Sequence, residues 1–150
     1  MNPQKNPIIM APKLSDNLEA MWAALLPLTA DSPDSAFEAW AAFYEPDAAM
    51  YFRGVANPPT VGREAIIATI KGMFSFWAIL ERRVVTRAAD EEHRTVAVSL
   101  STKLRIAGTI VEDFPECEVV TFSEKGLIQK YELYSDPTPI LGLLPAGAGQ

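Results

Sequence analysis

Apolar positions in the first half of the chain recur at helical spacing. Leu18, Trp22, Leu25 and Leu26 predict a helix over roughly 16–29, and Asp16 followed by Glu19 has the spacing of a capping box. Ser32-Pro33-Asp34 predicts a second helix start, with Phe37, Trp40, Ala41 and Tyr44 on one face and Pro46 limiting its end. A short strand is expected at 49–55, a turn at Asn57-Pro58-Pro59, and a third helix from Gly62-Arg63-Glu64, striped by Ile66, Ile70, Met73 and Trp77. Beyond Trp77 the texture changes. Residues 79–88, 94–106, 111–122 and 127–135 are rich in Val, Ile, Thr, Phe and Tyr, and Val96, Val98, Leu100, Thr102, Leu104 and Ile106 alternate with mostly polar residues. The breaks at Asp90-Glu91-Glu92, Gly108 and Glu124-Lys125-Gly126 are turn-like, so these four strands read as an antiparallel meander. The fold class is therefore α+β: three helices in the N-terminal half around a curved antiparallel sheet, with one domain over 15–140. Residues 1–14 read as a proline-containing arm and 141–150 as a flexible tail, although Leu141, Leu143 and Leu144 are placed to close a pocket or to meet a partner.

Composition narrows the function classes. The chain has 150 residues, 49% of them hydrophobic, which suits one globular domain. Its 13 basic and 19 acidic side chains give a net charge of -6 with no basic cluster, which argues against nucleic acid. No apolar run approaches the roughly 20 residues of a membrane span, and the first residues lack the apolar core of a signal peptide, so the cytoplasm is the expected location. Cys117 is the single cysteine and reads as a small buried hydrophobe. His93 is the single histidine and lies in a polar turn, which counts against multi-His or multi-Cys zinc sites and against a serine triad. No metal or cofactor is expected.

Asp47-Ala48-Ala49-Met50-Tyr51, followed by Val61-Gly62-Arg63-Glu64-Ala65-Ile66, resembles the strand, glycine turn and helix start of the nuclear transport factor 2-like superfamily. Gly126-Leu127-Ile128 with Tyr131 and Tyr134-Ser135-Asp136 resembles its last strand. The likeness runs over about residues 15–140 and is nearest to SnoaL-like polyketide cyclases and limonene epoxide hydrolases. It implies a cone with an internal pocket for a hydrophobic small molecule, usually without cofactor, and a homodimer. Val84, Val96, Val98 and Leu100 are candidates for the dimer face.

The resemblance also assigns places in the pocket. The epoxide hydrolases use an Asp-Arg-Asp set, and those places here hold Ser99, Ser101 and Leu133, with Glu132 one residue away and Tyr51 at a water-positioning tyrosine. In the ketosteroid isomerase branch the general base falls on Arg53, which stays protonated and suits an oxyanion instead. The proton-donating carboxyl of that branch falls on Glu118. Glu112, Glu116 and Glu118 share a strand side with Phe114, Val120 and Phe122, either as pocket groups or as a rim meeting water. Pro115 is placed to introduce a bulge that re-aims Asp113. Tyr51 and Tyr131 are hydrogen-bond donors in the pocket or plain core. Trp22, Trp40, Phe74 and Trp77 are expected in core and pocket wall.

The expectation is a cofactor-free isomerase or cyclase of secondary metabolism, performing ring closure or rearrangement with Glu118, Arg53 and Tyr51 as catalytic residues. Tyr131, Asp113, Ser99, Ser101, Trp40, Phe74 and Trp77 are the expected substrate contacts. The alternatives are an epoxide-opening enzyme and a binding module without turnover.

Overall fold

The computed structural model describes residues 10–55 and 57–146. Three helices, α1 (Met10–Leu25), α2 (Asp34–Ala41) and α3 (Arg63–Met73), accompany six strands. These are β1 (Tyr44–Arg53), β2 (Thr60–Val61), β3 (Trp77–Asp90), β4 (Thr95–Ile106), β5 (Thr109–Phe122) and β6 (Ile128–Tyr134). They form one sheet in the order β2-β1-β6-β5-β4-β3, antiparallel except where β1 runs parallel to β6. A 3-10 helix over Thr138–Leu143 follows, and Ile140 is buried there against Leu104, Ile106 and Phe114. Among the described residues no helix is long and apolar enough to cross a membrane.

The helices form where apolar side chains stack. Leu14, Leu18, Met21 and Leu25 are buried along α1 at steps of four, three and four, and Phe37, Trp40 and Ala41 do the same on α2. Helix α1 starts at Met10, inside the segment read as an arm, so Asp16 is an interior position and no capping residue. Pro33 is the N-cap of α2, with φ near −65°, while the Ser32 hydroxyl accepts a hydrogen bond from the Thr29 N–H at 2.9 Å.

The sheet shows the expected alternation, and its inner face is core. Val96, Val98, Leu100, Thr102, Leu104 and Ile106 of β4 are all buried, the first three against the helices and the last two against Phe114 and Ile140. Three of the four residues expected on a dimer face, Val96, Val98 and Leu100, therefore face the protein's own interior. Val84, opposite Leu100, is partly exposed.

Bulges interrupt the alternation and decide which side chains enter the interior. In β3, Ile79 pairs with Leu104 and Glu81 with Lys103, so Leu80 is an extra residue; a second shift lies between Val84 and Thr86. In β5, Thr102 pairs with Phe114 and Leu104 with Val111, so Glu112 and Asp113 together oppose Lys103. Asp113 takes the left-handed conformation, with φ of 50°. The bulge thus sits at Asp113 itself, whereas Pro115 stays paired with Ser101. It turns Glu112 out of the face it was expected to share with Glu116 and Glu118; Glu112 is exposed and pairs with Lys103 at 3.0 Å.

Candidate functional site

The inner faces of the sheet and helices enclose a cavity of about 310 Å³, at the lower end of the range for small-molecule pockets. Its walls are mainly apolar. Met50 and Phe52 come from β1, Ile70 and Met73 from α3, and Phe74, Phe76 and Trp77 from the connection into β3. Trp40, Tyr44 and Leu25 close the helical side, while Pro137, Ile140 and Leu144 of the C-terminal segment line it from the other end of the chain.

Polar groups gather on one part of this wall. Arg82, Glu116 and Tyr131 line the cavity, and Glu118 is fully buried beside them. The guanidinium of Arg82 donates from Nη1 to Glu118 Oε1 at 2.6 Å, and its Nη2 lies 4.0 Å from Glu116 Oε1. Trp22 Nε1 donates to Glu118 Oε2 at 2.8 Å, and the Tyr131 hydroxyl donates to Glu118 Oε1. Glu118 is thus held by three donors from α1, β3 and β6. Glu116 Oε1, by contrast, is buried without a hydrogen-bond partner, as is the Thr102 hydroxyl.

The bulge at Leu80 explains Arg82. Trp77 and Ile79 point inward, and strict alternation would next send Glu81 inward. The extra residue sets Glu81 opposite outward-facing Lys103 and Arg82 opposite buried Thr102, so the guanidinium reaches across β4 to the carboxyl groups of β5.

The electrostatics follow from enclosure. Burial pushes the Glu116 carboxyl above its ordinary 4.5 against the pull of Arg82 and of the Thr102 hydroxyl, which lies beside it without forming a well-aligned hydrogen bond. Glu116 therefore favours its protonated form more than a free glutamate does. Burial works to lower the Arg82 pKa, but Glu118 first, then Tyr131 and Glu116, outweigh it and hold the guanidinium charged. Burial and the Glu118 charge push the Tyr44 and Tyr131 phenols well above their ordinary values, so both remain protonated. Chemically, Glu116 can give or take a proton at a mainly apolar wall, and Arg82 can balance the charge as it does so. Both oxygens of Glu118 are engaged by protein donors. Among the described residues no three His, Cys, Asp or Glu side chains are grouped to hold a metal ion.

The structure places the expected residues unevenly. Glu118, Tyr131, Trp40, Phe74 and Trp77 lie in or directly behind the cavity wall. The Arg53 side chain does not converge on Glu118. It belongs to the outer face, donating to Glu132 Oε2 from Nε at 3.1 Å and from Nη2 at 2.8 Å, and the residue touches the cavity only at its rim. Tyr51 is on that outer face too, its ring beneath the Arg53 guanidinium at 4.2 Å. Glu132 is held there by Arg53, Tyr134 and Lys130; burial works to raise its pKa, but these donors lower it overall. Ser99 pairs with Cys117 on the outward side, and the Ser101 hydroxyl donates to exposed Asp113 at 3.0 Å, so none of Ser99, Ser101 and Asp113 reaches the cavity. Leu133 does line it.

Sequence patterning does not single out Arg82, and it leaves Glu116 between pocket and rim. A signal for Arg82 is nevertheless present. Two glutamates on one apolar strand face require a cation, and the edge strand beyond β4 offers Arg82, Arg83 and Arg87.

The same fold recurs among known proteins. The SnoaL-like domain family matches residues 34–131. A candidate polyketide cyclase from Xanthomonas campestris pv. campestris superposes with a TM-score of 0.72 at 15% identity, over 91% of this chain and 99% of that one. An LEH-like epoxide hydrolase from M. tuberculosis gives 0.65 at 19% identity, over 89% and 90%. A candidate isomerase from Bacillus subtilis gives 0.69 at 15% identity, over 88% and 92%. At these identities the likeness establishes the fold alone. No curated protein has a significantly similar sequence.

Proposed function

The chain belongs to the SnoaL-like domain family, and from that membership and the geometry above we propose that it is a cofactor-free isomerase or cyclase acting on a hydrophobic small molecule. The observation that carries this reading is Glu116: a buried carboxyl in the wall of an apolar cavity, with one oxygen unpartnered and a charged guanidinium 4.0 Å away. Glu116 takes a proton from carbon next to a carbonyl of the ligand, leaving an enolate. Returning the proton to the far carbon of a conjugated enolate moves the double bond, whereas attack of the enolate carbon on a second carbonyl of the ligand closes a ring and the proton passes to the new alkoxide. Arg82 offsets the charge of Glu116 while it lacks the proton, and Glu118, held by Trp22 and Tyr131, fixes Arg82 in place.

The test is carbon-bound hydrogen exchange. In heavy water the protein should exchange the hydrogens beside the carbonyl of a compact cyclic ketone such as 4-phenylcyclohexanone, and Glu116→Gln should slow this about 100-fold or more. Equal rates in the two proteins would remove the assignment.

One feature favours a second reading, epoxide opening. Glu116, Arg82 and Glu118 form a carboxyl–guanidinium–carboxyl series, the chemistry that the resemblance to epoxide hydrolases implies, built from other positions. It ranks lower because hydrolysis needs two carboxyl groups in reach of substrate and water, and Glu118 has both oxygens engaged. Incorporation of one solvent oxygen from isotopically heavy water into an epoxide-derived product would reverse the ranking.

A further inference from the structure

Of the three indoles at this site, Trp22, Trp40 and Trp77, the first has an acceptor in the protein and the second, fully buried, has none. Trp22 donates to Glu118, whereas Trp40, 1% exposed and lining the cavity from α2, has no partner for its Nε1–H. Its ring is fixed edge-on against Tyr44 with centroids 5.3 Å apart. A buried N–H without an acceptor is costly, and protein interiors rarely leave one so. A ligand oxygen in the cavity would supply what the protein does not.

Charge restricts that oxygen. The one guanidinium in the cavity interior, Arg82, is bound to Glu118 through Nη1 while its Nε has no partner, and Glu116 stands beside it as a further carboxyl. At the rim, Arg53 is bound to Glu132. An anionic ligand would therefore meet Glu116 and find the charge of both cations at the cavity already balanced by a carboxylate.

On the reading of this cavity as the substrate site, we propose that its ligand is a neutral, apolar carbonyl compound, a ketone, aldehyde or ester and not a carboxylic acid, whose carbonyl oxygen accepts a hydrogen bond from Trp40 Nε1. Trp40 is then a specificity-determining residue, and Glu116 the group that exchanges protons with the carbon beside that carbonyl.

Three matched probes test this by equilibrium dialysis: 4-phenylcyclohexanone, phenylcyclohexane and 4-phenylcyclohexanecarboxylate. Trp40→Phe should weaken the ketone about tenfold and the hydrocarbon less than about twofold, because only the ketone uses the N–H. The carboxylate should bind the unaltered protein at least about tenfold more weakly than the ketone. In the unaltered protein labelled with 15N, the Trp40 indole N–H resonance should move downfield with the ketone and not with the hydrocarbon; this arm does not depend on the variant's folding. Equal weakening of ketone and hydrocarbon, an unmoved indole resonance, a carboxylate that binds as well as the ketone, or no ketone binding at millimolar concentration would each overturn the proposal. A normal Trp40 result with an unaffected Glu116→Gln exchange rate would instead count against the catalytic reading alone.

Discussion

Arg82 Nη1 lies 2.6 Å from Glu118 Oε1, with the carboxyl fully enclosed and the arginine side chain 9% exposed. An ion pair this deep is more costly to break than it is favourable to form, because removing one partner leaves the other charge buried and alone. Arg82→Met should lower unfolding free energy by about 3–5 kcal/mol in chemical denaturation. The double variant Arg82→Met/Glu118→Leu should recover a large part of that loss. A double variant as unstable as the single one would show that the pair does not act as a unit.

Glu116 sets a pH dependence of stability. Its folded-state pKa lies above the ordinary 4.5, so the folded protein holds this proton more tightly than the unfolded chain. Its contribution is fully present below 4.5 and declines as pH rises through the folded-state value. Glu116→Gln removes the titration. Denaturation midpoints of the two proteins, measured at several pH values upward from 4.5, should therefore diverge in the variant's favour, levelling off once Glu116 is ionised in both states. Parallel midpoints would place the Glu116 proton equally in both states.

Arg53→Ala separates the outer face from the interior. Arg53 is half-exposed, and Glu132 keeps Lys130 and Tyr134 as donors when it is removed. The variant should lose at most about 1 kcal/mol of stability. Its ketone exchange rate in heavy water should stay within about threefold of the unaltered protein's, against the 100-fold loss expected for Glu116→Gln. A large loss of exchange with stability intact would bring Arg53 back into the chemistry.

The bulge at Asp113 is open to test through its backbone. A φ of 50° suits Gly, is tolerated by Asp and is poor for a β-branched residue. Asp113→Val should cost about 1–2 kcal/mol. Asp113→Gly should leave stability level or slightly higher, since the hydrogen bond from Ser101 and the ion pair with Arg83 both lie on the exposed surface and contribute little. Thermal unfolding of the two variants decides it; equal losses would assign the effect to the side chain.

The sequence carried the element order and most strand boundaries because hydrophobic period is a local property. β4, from Thr95 to Ile106, falls within one residue of its expected range, since its alternation is unbroken. What it did not carry is facing. On β1 the interior receives Met50 and Phe52, so Tyr51 and Arg53 go to the other side; a strand read one step out of phase exchanges every side chain. On β3 and β5 single extra residues at Leu80 and at Asp113 reset the phase, and neither is a glycine that would announce a bulge. Glu118 was legible because the family resemblance marks its place and β5 alternates regularly from Phe114 to Phe122, whereas its partner lies beyond a bulge on a strand two places away in the sheet.

The extra residue at Leu80 is also guarded by charge. Threaded without it, β3 would insert Glu81 where Arg82 now lies, directly toward Glu116 and Glu118. Three acidic groups would then crowd one buried space with no counter-ion, which costs far more than the paired arrangement. The misaligned pairing thus penalises itself, and the acidic strand selects the correct alignment of its distant neighbour before any ligand arrives.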